Sequence, residues 1–151
     1  MALTQQKFRE IVFQLLFSHD FDGSEEQELA DLLMETLLVT KKVMRQASER
    51  KQAILAHLEQ IDALIVRFCK SYEFHRIARV EKNILRLGMY ELCFEEEIPP
   101  KVVIAEAIRL ARKFSTFEGA NFVNAVLDAV FQERQGLTKD VHALCTTAIS
   151  V

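Results

Sequence analysis

Both prolines of this 151-residue chain stand side by side, and Pro99-Pro100 splits its most strongly patterned stretch, residues 80–114, into two helices. The first proline pushes its predecessor out of the α region. The second suits the first position of a helix, where its missing N–H is not needed. Upstream, Ile84, Leu87, Gly88 and Leu92 recur at helical spacing, while Arg79, Lys82 and Arg86 project from the opposite face, which makes this half an amphipathic helix. The basic row reads as a solvated face. After the acidic run at 95–97 a new helix starts at Pro100, with Val103, Ile104, Ala107, Ile108, Ala111 and Phe114 on its apolar side. Glu91 is the odd charge, lying among Ile84, Leu87 and Gly88, where a carboxylate must be hydrogen-bonded to be tolerated.

The remaining pattern is also helical. Thr4 is placed to N-cap a first helix through about His19, with a core stripe of Phe8, Ile11, Val12, Leu15 and Leu16. At about 100° per residue, Phe13 and Phe17 fall on the far side of that stripe, to be covered by a second layer of the chain or by a partner. Phe21-Asp-Gly breaks the helix. Ser24 and Gln27 form a capping box for the next, which carries Leu29, Leu32, Leu33 and Leu37. One long helix is predicted over about 40–71, its seam running from Val43 to Phe68, and Lys41, Lys42, Arg45, Arg50 and Lys51 form a solvated charged face. Residues 72–78 are a connector. Ser115 and Glu118 fit a second capping box, before a last helix with Phe122, Val123, Val126, Leu127 and Val130 inward and an end at 132–136. Residues 137–151 are an extension of unassigned role.

Four glycines and two prolines leave little punctuation for strands, and a hydrophobic content of 50% excludes general disorder. The fold class is all-α, of a size suited to one domain. A net charge of −3 demands that any nucleic-acid binding rest on a local patch or a partner, because RNA affinity comes largely from cations set against phosphates. Cys69, Cys93 and Cys145 are odd in number and widely spaced, which fits a reducing, cytoplasmic compartment. No apolar run approaches the ~20 residues that span a bilayer. His19, His57, His75 and His142 are scattered, and neither a metal-ligand spacing, a phosphate loop nor a nucleophile elbow occurs. No enzymatic activity, metal or cofactor is expected.

In this order, VEKNILRLGMYEL, IPPKVVIAEAIRLARKF and FVNAVLD resemble the NusB family of bacterial transcription antitermination factors. The likeness is strongest over 61–130, weaker over 4–18 and absent from 137 onward. The resemblance implies a NusB-like RNA-binding domain at 1–136: six or seven helices in two small bundles packed across each other, monomeric or homodimeric. It also implies partners, namely boxA-like RNA of ribosomal RNA leader transcripts, the ribosomal protein NusE and the transcription elongation complex, with no membrane. By family position Lys7, Arg9, Glu118, Asn121 and Phe122 would face RNA, and Phe17 and Glu81 the protein partner. Where the family tends to carry several arginines, the first helix keeps only Lys7 and Arg9, and Asn121 stands where relatives are more often basic. Two other classes share these features: the helical module attached to some ribosomal RNA cytosine methyltransferases, and a self-associating helical protein that has lost RNA binding.

Overall fold

The computed structural model describes residues 4–21, 26–69 and 73–140. Among them lie seven α-helices and no strand: α1 Gln5–Phe21, α2 Glu26–Leu37, α3 Lys41–Ala56, α4 Leu58–Phe68, α5 Arg79–Phe94, α6 Pro100–Phe114 and α7 Phe117–Asp140, with a 3-10 turn at Phe74–Arg76 before α5. The chain divides into two compact units, Met1–Ala56 and His57–Val151.

In the first unit α1 packs against α2 and α3. Thr4 caps α1 as its spacing predicts, accepting the Lys7 N–H on Oγ1 at 3.1 Å, and Thr40 does the same for α3 through Val43 at 3.3 Å. Ile11, Val12, Leu15 and Leu16 are buried, and so is Phe13 from the other side of the helix, so α1 is enclosed nearly all round. Phe17 is half-buried, its ring centroid 6.0 Å from that of Phe13. Leu38 ends α2 in the left-handed region at φ 55°, with the Val39 N–H bonded back to the Met34 carbonyl at 3.2 Å. That is a helix stop normally given to glycine. The helix break predicted at Phe21-Asp-Gly and the Ser24 cap fall outside the described residues. Gln27 donates from Nε2 to Asp31 Oδ1 at 3.1 Å, one turn on.

Two expectations for α3 are corrected. The single long helix is two, interrupted at His57, whose φ of −109° and ψ of 16° leave the helical register. His57 stacks on Phe94 with ring centroids 4.2 Å apart, and Tyr90 packs on Phe94 at 5.3 Å, so an aromatic cluster with α5 occupies the break where no proline or glycine marks it. The basic run is not uniformly solvated either. Lys41, Lys42 and Arg45 are exposed, but Arg50 lies over the Phe8 ring at 5.8 Å, and Lys51 is 1% exposed and ion-paired to Glu26. Both long stems cover apolar surface on the inner side of the helix.

The second unit is α4 to α7, with α5 buried at every position from Asn83 to Cys93. Gly88 lets α7 approach closely, since a Cβ there would stand 3.0 Å from Leu127 Cδ1. Pro99 and Pro100 act as the sequence predicts, the Pro99 carbonyl accepting Val102 and Val103 N–H at 2.9 and 3.2 Å. Arg86 overturns the solvated basic row. It is 7% exposed and forks onto Asp62 of α4 at 2.9 and 3.0 Å, with a third bond to Asn83 at 3.2 Å. Lys82 lies 4.5 Å above the Phe74 ring, which leaves Arg79 as the exposed member of the three. Glu91 is 3% exposed, and no buried side-chain nitrogen or oxygen among the described residues lacks a hydrogen-bond partner.

The last helix does not end at 132–136 but continues to Asp140. Glu133 pairs with Arg67 and Arg134 donates to the Leu92 carbonyl, contacts that hold this stretch against α4 and α5. A lone glycine inside a helix is a modest penalty of about 1 kcal/mol, and Gly136 is passed through. Residues 141–151, with His142 and Cys145, lie outside the described residues.

Candidate functional site

The start of α7 is built on small and polar residues. Thr116 is its cap, accepting the Gly119 N–H on Oγ1 at 3.0 Å and the Ala120 N–H on its carbonyl at 2.9 Å. The predicted box of Ser115 and Glu118 is therefore shifted by one residue. Ser115 is released to donate from Oγ to Glu81 Oε1 of α5, at 2.7 Å, and Glu118 stands exposed in the first turn. Gly119 is required here. An added Cβ would lie 2.3 Å from Ser115 Oγ and 2.4 Å from Glu81 Oε1, so a larger residue would drive the carboxylate away from the helix start. A carboxylate is favoured at that position by the positive end of the helix dipole.

Around this joint opens a surface cavity of about 200 Å³, bordered by Arg76, Glu81, Thr116, Glu118, Gly119 and Phe122. Arg76 comes from the 3-10 turn, Glu81 from the first turn of α5, and the others from α7 and the residue before it. Phe122 is half-buried and presents an aromatic wall, Glu118 is exposed at the rim, and Glu81 is half-buried with one oxygen already engaged. Asn121 lies outside the cavity on the exposed row that also carries Phe117, Asn124 and Asp128.

The sequence candidates are thus redistributed. Glu118 and Phe122, which the resemblance places toward RNA, share one cavity with Glu81, which it places toward protein. Asn121 is beside them, while Lys7 and Arg9 belong to α1 in the other unit. Lys7 is exposed, with its ammonium 3.5 Å from the Leu37 carbonyl. Arg9 is 5% exposed and engaged within the protein, against the expectation from family position that it faces RNA beside Lys7. Sequence reasoning missed four positions: Ser115 as a tether, Thr116 as the cap, Arg76 on the cavity wall, and Phe117, which is 72% exposed. Phe117 was the findable one, since it sits one turn before Asn121 and off the apolar stripe of its helix.

The NusB family model matches residues 6–132. The chain belongs to the NusB family. It is 41% identical over 127 residues to the transcription antitermination protein NusB of Agathobacter rectalis, covering 83% of this chain and 97% of that one. Among solved structures it is similar to T. maritima NusB, at 35% identity and a TM-score of 0.73, over 88% of this chain and 94% of the other. A NusB solved in complex with NusE and double-stranded RNA matches at 28% identity and a TM-score of 0.72, over 85% of this chain and 96% of that one. Within this NusB fold, among the described residues, no helix is long and apolar enough to cross a membrane.

Proposed function

We propose that this NusB-family chain is a non-catalytic, cytoplasmic RNA-binding antitermination factor that acts with NusE on boxA-like RNA of ribosomal RNA leader transcripts, in the transcription elongation complex. The observation that carries the reading is its similarity, over nearly the whole length of both chains, to a NusB solved with NusE and RNA. The surface chemistry supports it. Lys7 offers an exposed ammonium to phosphate, Asn121 offers both donor and acceptor to a base edge, and Phe122 offers a ring face. Arg9 is buried and engaged within the protein, so its support for this surface is through the packing of α1. Phe17 is the aromatic of the protein-partner surface, half-buried and tilted against Phe13, and Glu81 is its acid. In this chain Glu81 has a second task, holding Ser115 at the α6–α7 joint.

With a net charge of −3 and one exposed arm cation, the chain alone binds RNA weakly. A cationic ribosomal protein supplies the missing phosphate contacts. Fluorescence anisotropy on a boxA RNA, titrated with salt in the presence and absence of NusE, tests this directly. Tight binding with a steep salt slope is expected only with NusE; no binding in either case overturns the assignment.

A further inference from the structure

The first unit holds a separate opening, a groove of about 710 Å³ between α2 and α3, helices that each pack on α1 and that the short link at 38–40 turns back on one another. Leu15 and Met44, both buried, form its floor, with half-buried Ala30 and Met34 along the α2 side. The two walls differ in charge. Glu26 and Asp31 on α2 are already engaged, the one with Lys51 and the other with Gln27, whereas Lys41 and Arg45 stand exposed on α3. Lys42 adds a third exposed cation, and no acid lies in the first turn of α3. Side-chain charge and helix dipole therefore reinforce each other as a positive field at this end of the groove. Leu38, in the link that closes the same end, is 88% exposed and sits at φ 55°, a conformation that strains a leucine and suits glycine. Neither the local backbone nor the core accounts for a leucine there.

We propose that this groove is the docking site of an acidic amphipathic helix belonging to another protein. A helix is the form that fits, because two packed helices offer no open backbone edge for an extended strand to pair with, whereas a helix satisfies its own N–H and C=O groups. From Lys41 to Gln52 the groove spans about 17 Å, room for three turns. The incoming helix lays apolar side chains at i, i+4 and i+7 over the Leu15 and Met44 floor and against Met34, and the flexible thioethers adapt to the shape of what is bound. Carboxylates on one flank of it meet Lys41 and Arg45, and Leu38 closes the apolar contact at that end. Nucleic acid fits less well. The acids on the α2 wall repel phosphate, and among the described residues no aromatic ring borders the groove for a base to stack on. The surface belongs to the first unit alone, so the inference goes beyond the RNA-binding reading and does not depend on it.

The test uses the full chain and a fluorescein-labelled helical peptide with three leucines at i, i+4 and i+7 and glutamates along one flank, read by anisotropy. The same peptide with lysines in place of the glutamates is the control. The acidic peptide should bind about tenfold tighter than the basic one and weaken as salt rises, as charge-guided docking requires. K41E/R45E should reverse that order while leaving the melting temperature unchanged, since both side chains are exposed. L38G separates docking from folding. It should raise the melting temperature by relieving the left-handed leucine, and yet weaken the acidic peptide about threefold or more through the lost apolar contact. Equal affinity for the two peptides, or wild-type binding by K41E/R45E, overturns the proposal. Displacement of the acidic peptide by a boxA RNA that K41E/R45E no longer binds would give the groove to nucleic acid and overturn it too. So would a dimer in sedimentation equilibrium that K41E/R45E dissolves, which would seat a second copy of the chain there. Binding of boxA RNA with NusE, measured on the same preparations, keeps the two readings apart: loss of the peptide alone overturns the groove, and loss of the RNA alone overturns the RNA assignment.

Discussion

Ser115 Oγ donates to Glu81 Oε1 across 2.7 Å, fastening the link between α6 and α7 to the first turn of α5, and Gly119 leaves the room in which they meet. A hydrogen bond to an ionised acceptor in a part-buried setting contributes about 1.5–3 kcal/mol. Discounted for the half-exposure of Glu81, S115A is expected to lower stability by about 1 kcal/mol. G119A places a methyl within 2.3 and 2.4 Å of the two bonded oxygens, and such overpacking costs about 1–3 kcal/mol, more than alanine gains over glycine in a helix. Urea denaturation of the single and double variants checks the coupling: S115A/G119A should be less destabilised than the sum. A G119A protein more stable than the parent would show that the joint yields freely.

The Arg86–Asp62 fork joins α4 to α5 inside the second unit. Removing one partner of a buried pair leaves an uncompensated charge and typically costs about 3–5 kcal/mol. R86A is expected near the lower end, because Asp62 is 23% exposed and regains water. R86K should recover little, since an ammonium cannot span both carboxylate oxygens and reach Asn83 as well. Chemical denaturation midpoints that fall within about 0.5 kcal/mol of wild type, the range of ordinary surface changes, would return Arg86 to the solvated face.

Lys7 and Arg9 should separate in one experiment. K7A removes an exposed charge, so it should reduce RNA affinity, lower the salt slope by about 0.7 for one lost single-strand phosphate contact, and leave the melting temperature alone. R9A removes a buried, engaged side chain and should lower both affinity and stability. Equal melting temperatures for wild type, K7A and R9A would contradict the burial of Arg9.

Burial pushes the Cys93 thiol up from its ordinary value of 9.0, partly opposed by the Arg134 guanidinium. An acid whose folded pKa is raised binds its proton more tightly when folded than when unfolded. Its contribution is therefore fully present below the unfolded pKa and is lost as pH rises through the folded one. Stability should fall above about pH 9 in wild type, and C93A should flatten that limb of the profile. Native Cys93 should also react slowly with a thiol reagent at pH 8 and quickly in denaturant. An unchanged alkaline limb in C93A would place the loss elsewhere.

Much of the fold was legible because local chemistry and global packing agree at its decisive points. The paired prolines start α6, Thr4 caps α1, and most apolar positions expected to face inward on α1, α6 and α7 are buried, while Phe8, Ile104, Ile108, Phe114 and Phe122 are half-buried. Identity of family was legible too, in three phrases that run through α5, α6 and α7. Tertiary structure decided what periodicity cannot encode, namely which polar residues on a helix meet another helix. Arg86 and Lys51 have the spacing of solvated cations, yet each is buried because a carboxylate on a neighbouring element waits for it, Asp62 for the one and Glu26 for the other. His57 breaks a helix whose sequence shows no breaker, because its ring stacks on Phe94 from 37 residues away. At the site, the family resemblance grouped Glu118 with Phe122 and set Glu81 apart from them, and only the joining of α5 to the start of α7 put all three around one cavity. Side chains that come from separate helices share no period, so their convergence belongs to the packing.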